Sequence, residues 1–115
     1  MTDKIVVFCT CASVDEARRI ATALVDSRLA ACVNLLPPVH SIYHWKGSVE
    51  EGDEVLMIIK SAQPLFARVK DEISRLHSYE VPEIIALPIV EGSAPYLAWM
   101  EQALTHGELS RMENE

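Results

Sequence analysis

Two of the three cysteines have the chemistry to bind a soft metal ion and stand two positions apart. Cys9 and Cys11 follow the apolar run 5–8 at alternate positions, so a β-strand would point both thiols to the same side. Thiolates are soft ligands that favour ions such as copper(I). Two strand rises separate the side chains by about 6.6 Å, too far to share one ion without distortion. Core packing, which is common for free cysteine, is therefore the favoured interpretation, and a ligand role remains open.

The remaining cysteine, Cys32, is predicted to lie beside Lys60 in a long β-hairpin. The Lys-Gly dipeptide 46–47 forms the turn, since glycine tolerates the positive φ that a tight loop requires. An unbroken ladder counted back from this turn pairs Val33 with Lys60. Pro37-Pro38 indicates a bulge, which shifts the pairing to Cys32. An adjacent ammonium favours a thiolate. We interpret the pair as a ligand cleft rather than a catalytic site, because no local base accompanies it.

The histidines differ in what they can bind. His77 stands in a polar stretch with Tyr79 and Glu83, where it is a candidate metal ligand. A loop histidine that bonds only to backbone is the alternative interpretation. His40 and His44 share a strand face but lie about 13 Å apart, too far to hold one ion. We interpret these two as surface or interface residues.

The elements that must position these residues follow a β-α-β-β-α-β order with one further helix. Ser13 and Glu16 form a capping box at the start of the first helix. Residues 84–90 form the last strand, and Ser93 caps a third helix that ends before Gly107. This order is that of the ferredoxin-like split βαβ fold. It is an α+β fold in which helices cover one face of an antiparallel sheet.

The hairpin is predicted to be longer than the body of the domain. Its return arm, residues 48–60, would extend about 40 Å. A compact chain of this length is only about 34 Å across. The tip, which carries Tyr43 and Trp45, should therefore project, and projecting ribbons with open edges are usually covered by another copy of the chain. We expect oligomerisation with Tyr43 and Trp45 at the interface.

The composition indicates one soluble globular domain over residues 1–115. A net charge of −7 disfavours nucleic acid as a partner, and no apolar run approaches the ~20 residues of a membrane span. An odd number of cysteines without a secretory signal indicates reduced thiols in the cytoplasm. We find no nucleophile–base set, phosphate-cradling glycine loop or zinc motif. We therefore expect neither an enzyme nor an organic cofactor.

Three stretches together resemble one known family. They are Leu-Ala-Ala-Cys-Val-Asn at 29–34, Ser-Ile-Tyr-His-Trp-Lys-Gly at 41–47 and His-Ser-Tyr-Glu-Val-Pro-Glu-Ile at 77–84. By these stretches the chain is identified as a member of the CutA family of divalent-cation tolerance proteins. The resemblance implies a cytoplasmic homotrimer of ferredoxin-like subunits, similar in architecture to the PII signalling proteins. Tyr43 and Trp45 would then lie at a trimer interface.

The resemblance also implies a metal site. Copper or another divalent cation would bind at Cys9 and His77. The residue before His77 is Leu76, where the family has a second histidine. The family pattern assigns no role to Cys11.

A cleft between subunits is a further implication of the resemblance. It would contain Cys32, Lys60, His77 and Tyr79, to which we add Glu83 from the same polar stretch. Metal-ion tolerance through copper or other divalent-cation binding is the expected function. One alternative is a PII-like sensor or adaptor that binds a small molecule in this cleft. Another is a structural trimer whose partner is an unidentified protein.

Overall fold

The computed structural model describes residues 2–104, which form four strands and three α-helices. In chain order they are β1 (Lys4–Cys11), α1 (Val14–Asp26), β2 (Cys32–Trp45), β3 (Ser48–Ala62), α2 (Phe66–Leu76), β4 (Ile85–Pro88) and α3 (Ala94–Ala103), with a short 3₁₀ turn (Gln63–Leu65) before α2. The strands form one sheet in the order β2-β3-β1-β4, and every pairing is antiparallel. The predicted ferredoxin-like α+β fold is confirmed. Gly107 lies outside the described residues.

The core lies between one face of the sheet and the helices. Alternate residues of β1 and β3 are buried there, as the period of two requires. The helices contribute apolar stripes at the helical period, with residues three or four apart in α1 and α2. The fully buried members are Val7, Cys9, Cys11, Met57, Ile59, Ala17, Ile20, Leu24, Val69 and Ile73, with Met100 and Leu104 from the third helix and the residue after it.

The opposite face of the sheet is also apolar but remains partly open. Leu36, Ile85 and Leu87 are 44%, 51% and 44% exposed. Phe8 and Ile58, which are paired on neighbouring strands, are half-buried on the same face. Water therefore contacts a continuous apolar surface that the helices do not cover.

The hairpin of β2 and β3 has the predicted turn and register. Lys46 and Gly47 both have positive φ, 50° and 85°, and Trp45 is paired with Ser48. The register shifts by one residue between Leu36 and Val39, at the proline pair. The molecule measures 54 × 27 × 23 Å, and its radius of gyration of 15.3 Å exceeds the expected value of about 13 Å for a compact chain. The predicted long hairpin is confirmed.

Two local predictions require correction. The last strand covers only Ile85–Pro88 rather than 84–90, because Pro88 lacks an amide donor and ends the pairing. The predicted capping box is only half formed. Ser13 Oγ accepts the Glu16 amide at 3.2 Å, but the Glu16 carboxylate turns away from the cap and accepts amides of Ala12 and Ser78. Among residues 2–104, no helix is long and apolar enough to cross a membrane.

Candidate metal centre

Two thiols and one imidazole meet where β1 ends. Cys9 and Cys11 are fully buried on the helix side of β1, and His77 directly follows α2. The ligand atoms of the three residues all lie within 4.8 Å of one another. Cys11 Sγ is 3.7 Å from His77 Nε2, close to the separation of about 3.5 Å that a sulfur and a nitrogen take on one tetrahedral ion. The cluster can therefore hold a metal ion after small side-chain movements.

The two thiols are closer than strand geometry indicated. The sequence predicted a separation of about 6.6 Å, whereas the two sulfur atoms lie within 4.8 Å. Rotation about χ1 can produce such a difference, since it moves a sulfur atom sideways from the direction of its Cα–Cβ bond. The interpretation that Cys9 and Cys11 are too far apart to share one ion was therefore wrong.

A third sulfur atom belongs to the same buried group. Met57 is the cross-strand partner of Cys9 on β3, and it is fully buried. Its Sδ lies 3.3 Å from Cys11 Sγ. The sequence analysis missed Met57 because 46 residues separate it from Cys11 and because methionine in an apolar strand is typical of ordinary core packing.

Hydrogen bonds occupy both nitrogens of His77. Nε2 lies 2.7 Å from the carbonyl oxygen of Thr10, which can only accept, so Nε2 carries the proton and donates. Nδ1 accepts the amide of Tyr79 at 3.0 Å, and the two rings pack with centroids 4.7 Å apart. His77 can bind a metal through Nε2 only if it releases both that proton and the Thr10 carbonyl.

The surroundings favour the protonated form of Cys9. Its hydrogen bond with Cys11 raises the pKa of the Cys9 thiol, and burial and the nearby carboxylates of Glu83 and Glu16 raise it further. A metal ion must therefore displace a firmly held proton to bind this sulfur, and its affinity should increase with pH.

Glu16 anchors the loop that carries His77. Glu16 is 5% exposed, and its carboxylate accepts the amides of Ser78 at 2.6 Å and Ala12 at 3.3 Å. Burial alone would raise the pKa of Glu16, but these hydrogen bonds, with a smaller contribution from His77, lower it below its ordinary value. The sequence showed Glu16 only as a capping residue. Its role in positioning the loop depends on contacts that no local pattern reveals.

The predicted cleft residues occupy two separate places within one subunit. Cys32 and Lys60 are paired across β2 and β3, so the predicted register is confirmed. The Lys60 ammonium donates to Asn34 Oδ1 at 2.5 Å. Tyr79 instead donates to Glu54 Oε2 at 2.7 Å. Glu54 and Lys60 are six residues apart on β3, a distance of about 20 Å. A single cleft would require a second subunit.

Tyr79 and Glu83 line a cavity of about 690 Å³ beneath the hairpin. Tyr43 and Trp45 also line it, and these two residues are 45% and 41% exposed. Burial raises the pKa of Tyr79, and the hydrogen bond to Glu54 adds to that effect. The cavity combines aromatic surface with several carboxylates. An interface role for Tyr43 and Trp45 stays a prediction.

The donor set of the cluster fits a thiophilic metal ion. Two thiols and a thioether are soft ligands, and an imidazole nitrogen is intermediate. Calcium and magnesium prefer oxygen ligands, which the cluster does not offer among the described side chains. Within residues 2–104 the fold therefore groups Cys9, Cys11 and His77, with Met57 adjoining, and the donors of this group suit copper or zinc.

The fold and the cluster together define a small ferredoxin-like protein with a buried thiol–imidazole centre. The family model of the CutA1 divalent ion tolerance proteins matches residues 5–103. The chain belongs to this family. Its relatives include Protein CutA of Homo sapiens, which is 50% identical over 95 residues that cover 83% of this chain and 53% of the relative. The divalent-cation tolerance protein CutA of Thermus thermophilus is 48% identical over 97 residues, covering 84% of this chain and 94% of the relative.

Solved structures agree with this assignment. The divalent cation tolerance protein (Cut A1) of Thermus thermophilus superposes with a TM-score of 0.86 at 46% identity, covering 88% of this chain and 98% of the other. CutA1 from the psychrotrophic bacterium Shewanella sp. SIB1 gives a TM-score of 0.87 at 40% identity, covering 90% and 97%. The chain spans about half the length of the human relative.

Proposed function

We propose that this protein acts in tolerance to divalent metal ions as a homotrimer that binds copper, or another divalent cation, at the cluster of Cys9 and His77. One observation supports the proposal most directly: the fold brings these two residues and Cys11 within 4.8 Å, although 66 residues separate Cys11 from His77. Relatives named for divalent-cation tolerance support the biological role. The protein works by binding an ion rather than by catalysing a reaction.

The open face of the sheet supports the homotrimer. Leu36, Ile85 and Leu87 expose apolar surface beside the half-buried Phe8 and Ile58. A continuous apolar face of this kind usually marks an interface, and soluble oligomers are mostly symmetric assemblies of one chain. The exposed aromatic residues of the hairpin extend the same argument to its tip.

The proposed location is the cytoplasm, where thiols stay reduced. Cys9, Cys11 and Cys32 are all free, which suits that compartment. Compartments differ among the relatives: an Arabidopsis thaliana relative is named chloroplastic, and an Archaeoglobus fulgidus structure is titled periplasmic.

A copper titration of the reduced, metal-free protein tests the proposal. We expect one ion per chain, bound more tightly than about 1 μM or about −8 kcal/mol. Cys9→Ala and His77→Ala should both weaken binding, whereas the matched control His40→Ala, at an exposed histidine of the hairpin, should leave it unchanged. The mass measured in the same buffer should equal three chains. Weak, fractional binding that neither substitution alters would refute the metal role.

A PII-like small-molecule sensor is the second candidate, and the cavity beneath the hairpin favours it. Tyr43, Trp45 and Tyr79 offer aromatic surface there, and Glu54 and Glu83 offer charge. Lys60 does not line this cavity, so an anionic ligand would need a neighbouring subunit to supply the cation. A metabolite that protects the trimer against unfolding, and loses that effect in Tyr79→Ala but not in Cys9→Ala, would establish this function.

A further inference from the structure

We propose that the bound ion is copper(I) and that three sulfur atoms hold it: those of Cys9, Cys11 and Met57. This inference rests on the proposed metal-binding function and specifies its ligands and the oxidation state of its ion. Two of the three ligands, Cys11 and Met57, lie outside the pair that the family pattern indicates. His77 is then a positioning residue rather than a ligand.

The sulfur atom of Cys11 lies close to those of both Cys9 and Met57. Metal–sulfur bonds of about 2.3 Å place two sulfurs between about 3.8 Å apart on a tetrahedral ion and about 4.6 Å apart on a linear one. Cys11 Sγ and Met57 Sδ are 3.3 Å apart, and the sulfurs of Cys9 and Cys11 lie within 4.8 Å of each other. Movements of about half an ångström, within the range of small χ rotations, bring these two pairs to the separations required on one ion. Cys9 and Met57 are directly opposite each other, so their Cβ atoms lie about 4.5–5.5 Å apart.

Strand pairing explains why the sulfurs converge. Cys9 lies directly opposite Met57 on the antiparallel β3, and Cys11 lies two positions further along the same face of β1. All three side chains point into the core and are fully buried. The side chain of methionine is flexible enough to place its sulfur between the two thiols.

The number and type of available donors favour copper(I) over zinc. Copper(I) is a soft ion that accepts thiolate and thioether ligands and is stable with low coordination numbers. Zinc in structural sites takes four ligands. The fourth would have to be His77, whose Nε2 proton is donated to Thr10 and whose Nδ1 already accepts an amide. Zinc binding would therefore break a short hydrogen bond that copper(I) binding leaves intact.

His77 holds the end of β1 in place through Thr10. This residue lies between the two cysteines, and its carbonyl accepts the His77 Nε2 proton at 2.7 Å. The bond fixes the backbone at Thr10, and the two cysteines that supply the thiol ligands lie on either side of that residue.

Binding exchanges protons for the ion without a change of oxidation state. One Cu⁺ enters, both thiols lose their protons to solvent, and the thioether keeps its neutral form. Two protons are therefore released for each ion, and the site gains one negative charge. Affinity should rise steeply with pH for this reason.

Anaerobic titration with copper(I), in competition with the chromogenic chelator bathocuproine disulfonate, tests the ligand set. Cys11→Ala should lower the affinity about 100-fold or more, and Met57→Leu about 10-fold. The matched control Met100→Leu, at a fully buried methionine of the third helix, should stay within about twofold of the wild type, well below the loss expected for a ligand. The leucine variants conserve volume and should fold.

X-ray absorption at the copper edge distinguishes a ligand from a positioning residue at His77. We expect sulfur scattering alone in the wild type, and the same sulfur signal in His77→Gln even if its affinity falls. Nitrogen scattering that His77→Gln removes would overturn the three-sulfur site.

The outcomes separate this inference from the proposed function. Stoichiometric metal binding that Cys11→Ala and Met57→Leu both leave unchanged overturns the inference and leaves the proposed function standing. Preference for zinc over copper(I) does the same. If the wild type binds no ion stoichiometrically, both fail. Should Cys11→Ala not fold, Met57→Leu and the absorption spectrum decide.

Discussion

Replacing Glu16 with glutamine should loosen the loop at the metal cluster and destabilise the fold. The carboxylate accepts two backbone amides, at 2.6 Å from Ser78 and 3.3 Å from Ala12, in a site that is 5% exposed. Hydrogen bonds to a charged group contribute about 1.5–3 kcal/mol and neutral ones about 0.5–1.5 kcal/mol. The short Ser78 bond dominates, so Glu16→Gln should cost about 1–2 kcal/mol. Glu16→Ala leaves both amides without this acceptor and should cost about 2–4 kcal/mol.

The loss of stability caused by Glu16→Gln should depend on pH. The pKa of Glu16 is lowered in the folded state from its ordinary value of 4.5, because the amide hydrogen bonds outweigh the opposing effect of burial. Its stabilisation is therefore fully present above pH 4.5 and is lost as the pH falls through the lower folded value. The free-energy gap between wild type and Glu16→Gln should stay constant near neutrality and close in acid.

Denaturant unfolding followed by circular dichroism measures this gap. The titrations should use one protein concentration, since association shifts apparent stability. Asp15→Asn is the matched control, because it removes a charge from an exposed position in the same first turn of α1. A Glu16→Gln variant no less stable than Asp15→Asn, or a gap that persists unchanged at acid pH, would refute the role of Glu16 as an anchor.

Two further perturbations test other parts of the structure. Lys4→Met should destabilise the fold by about 1–3 kcal/mol, because the buried ammonium lies 2.6 Å from Asp3 and 2.7 Å from Glu101. Burial would lower the pKa of Lys4, but these two partners raise it. The stabilisation by Lys4 should therefore persist below pH 10.5 and fall only above it. A Lys4→Met variant as stable as the wild type at pH 7 would contradict this expectation. Leu87→Asp should convert the proposed trimer to smaller species in sedimentation, whereas Val25→Asp, on the exposed side of α1, should not. If the Leu87→Asp variant remains a trimer, the open face of the sheet is not part of the interface.

The pairing of Cys32 with Lys60 was predictable because the hairpin is local. One turn at 46–47 sets the register of both arms, and Pro37-Pro38 reveals the single extra residue. Each step counts along a continuous chain, and a period of two leaves little freedom. The helices were equally predictable from the sequence, since their apolar stripes repeat within one segment.

The metal cluster could not be predicted to the same extent. Cys9 and His77 came from the family resemblance, whereas Cys11 was assigned to packing and Met57 was not considered. The pairing of β1 with β3 passes through a helix and a hairpin, so no local turn sets which residues face each other. Glu16 was missed as an anchor because its partner amide lies 62 residues away.

By itself the sequence determined the order of the elements, the turn and bulge of the hairpin, and one face of each element as core. Turn chemistry and apolar periodicity act over a few residues, so they can be read without the fold. Only the tertiary structure decided that two thiols, a thioether and an imidazole meet, and that Cys32 and Lys60 lie apart from Tyr79 within one subunit. Those distances depend on strand pairing and side-chain rotation, because contacts between distant segments have no periodic trace in the chain.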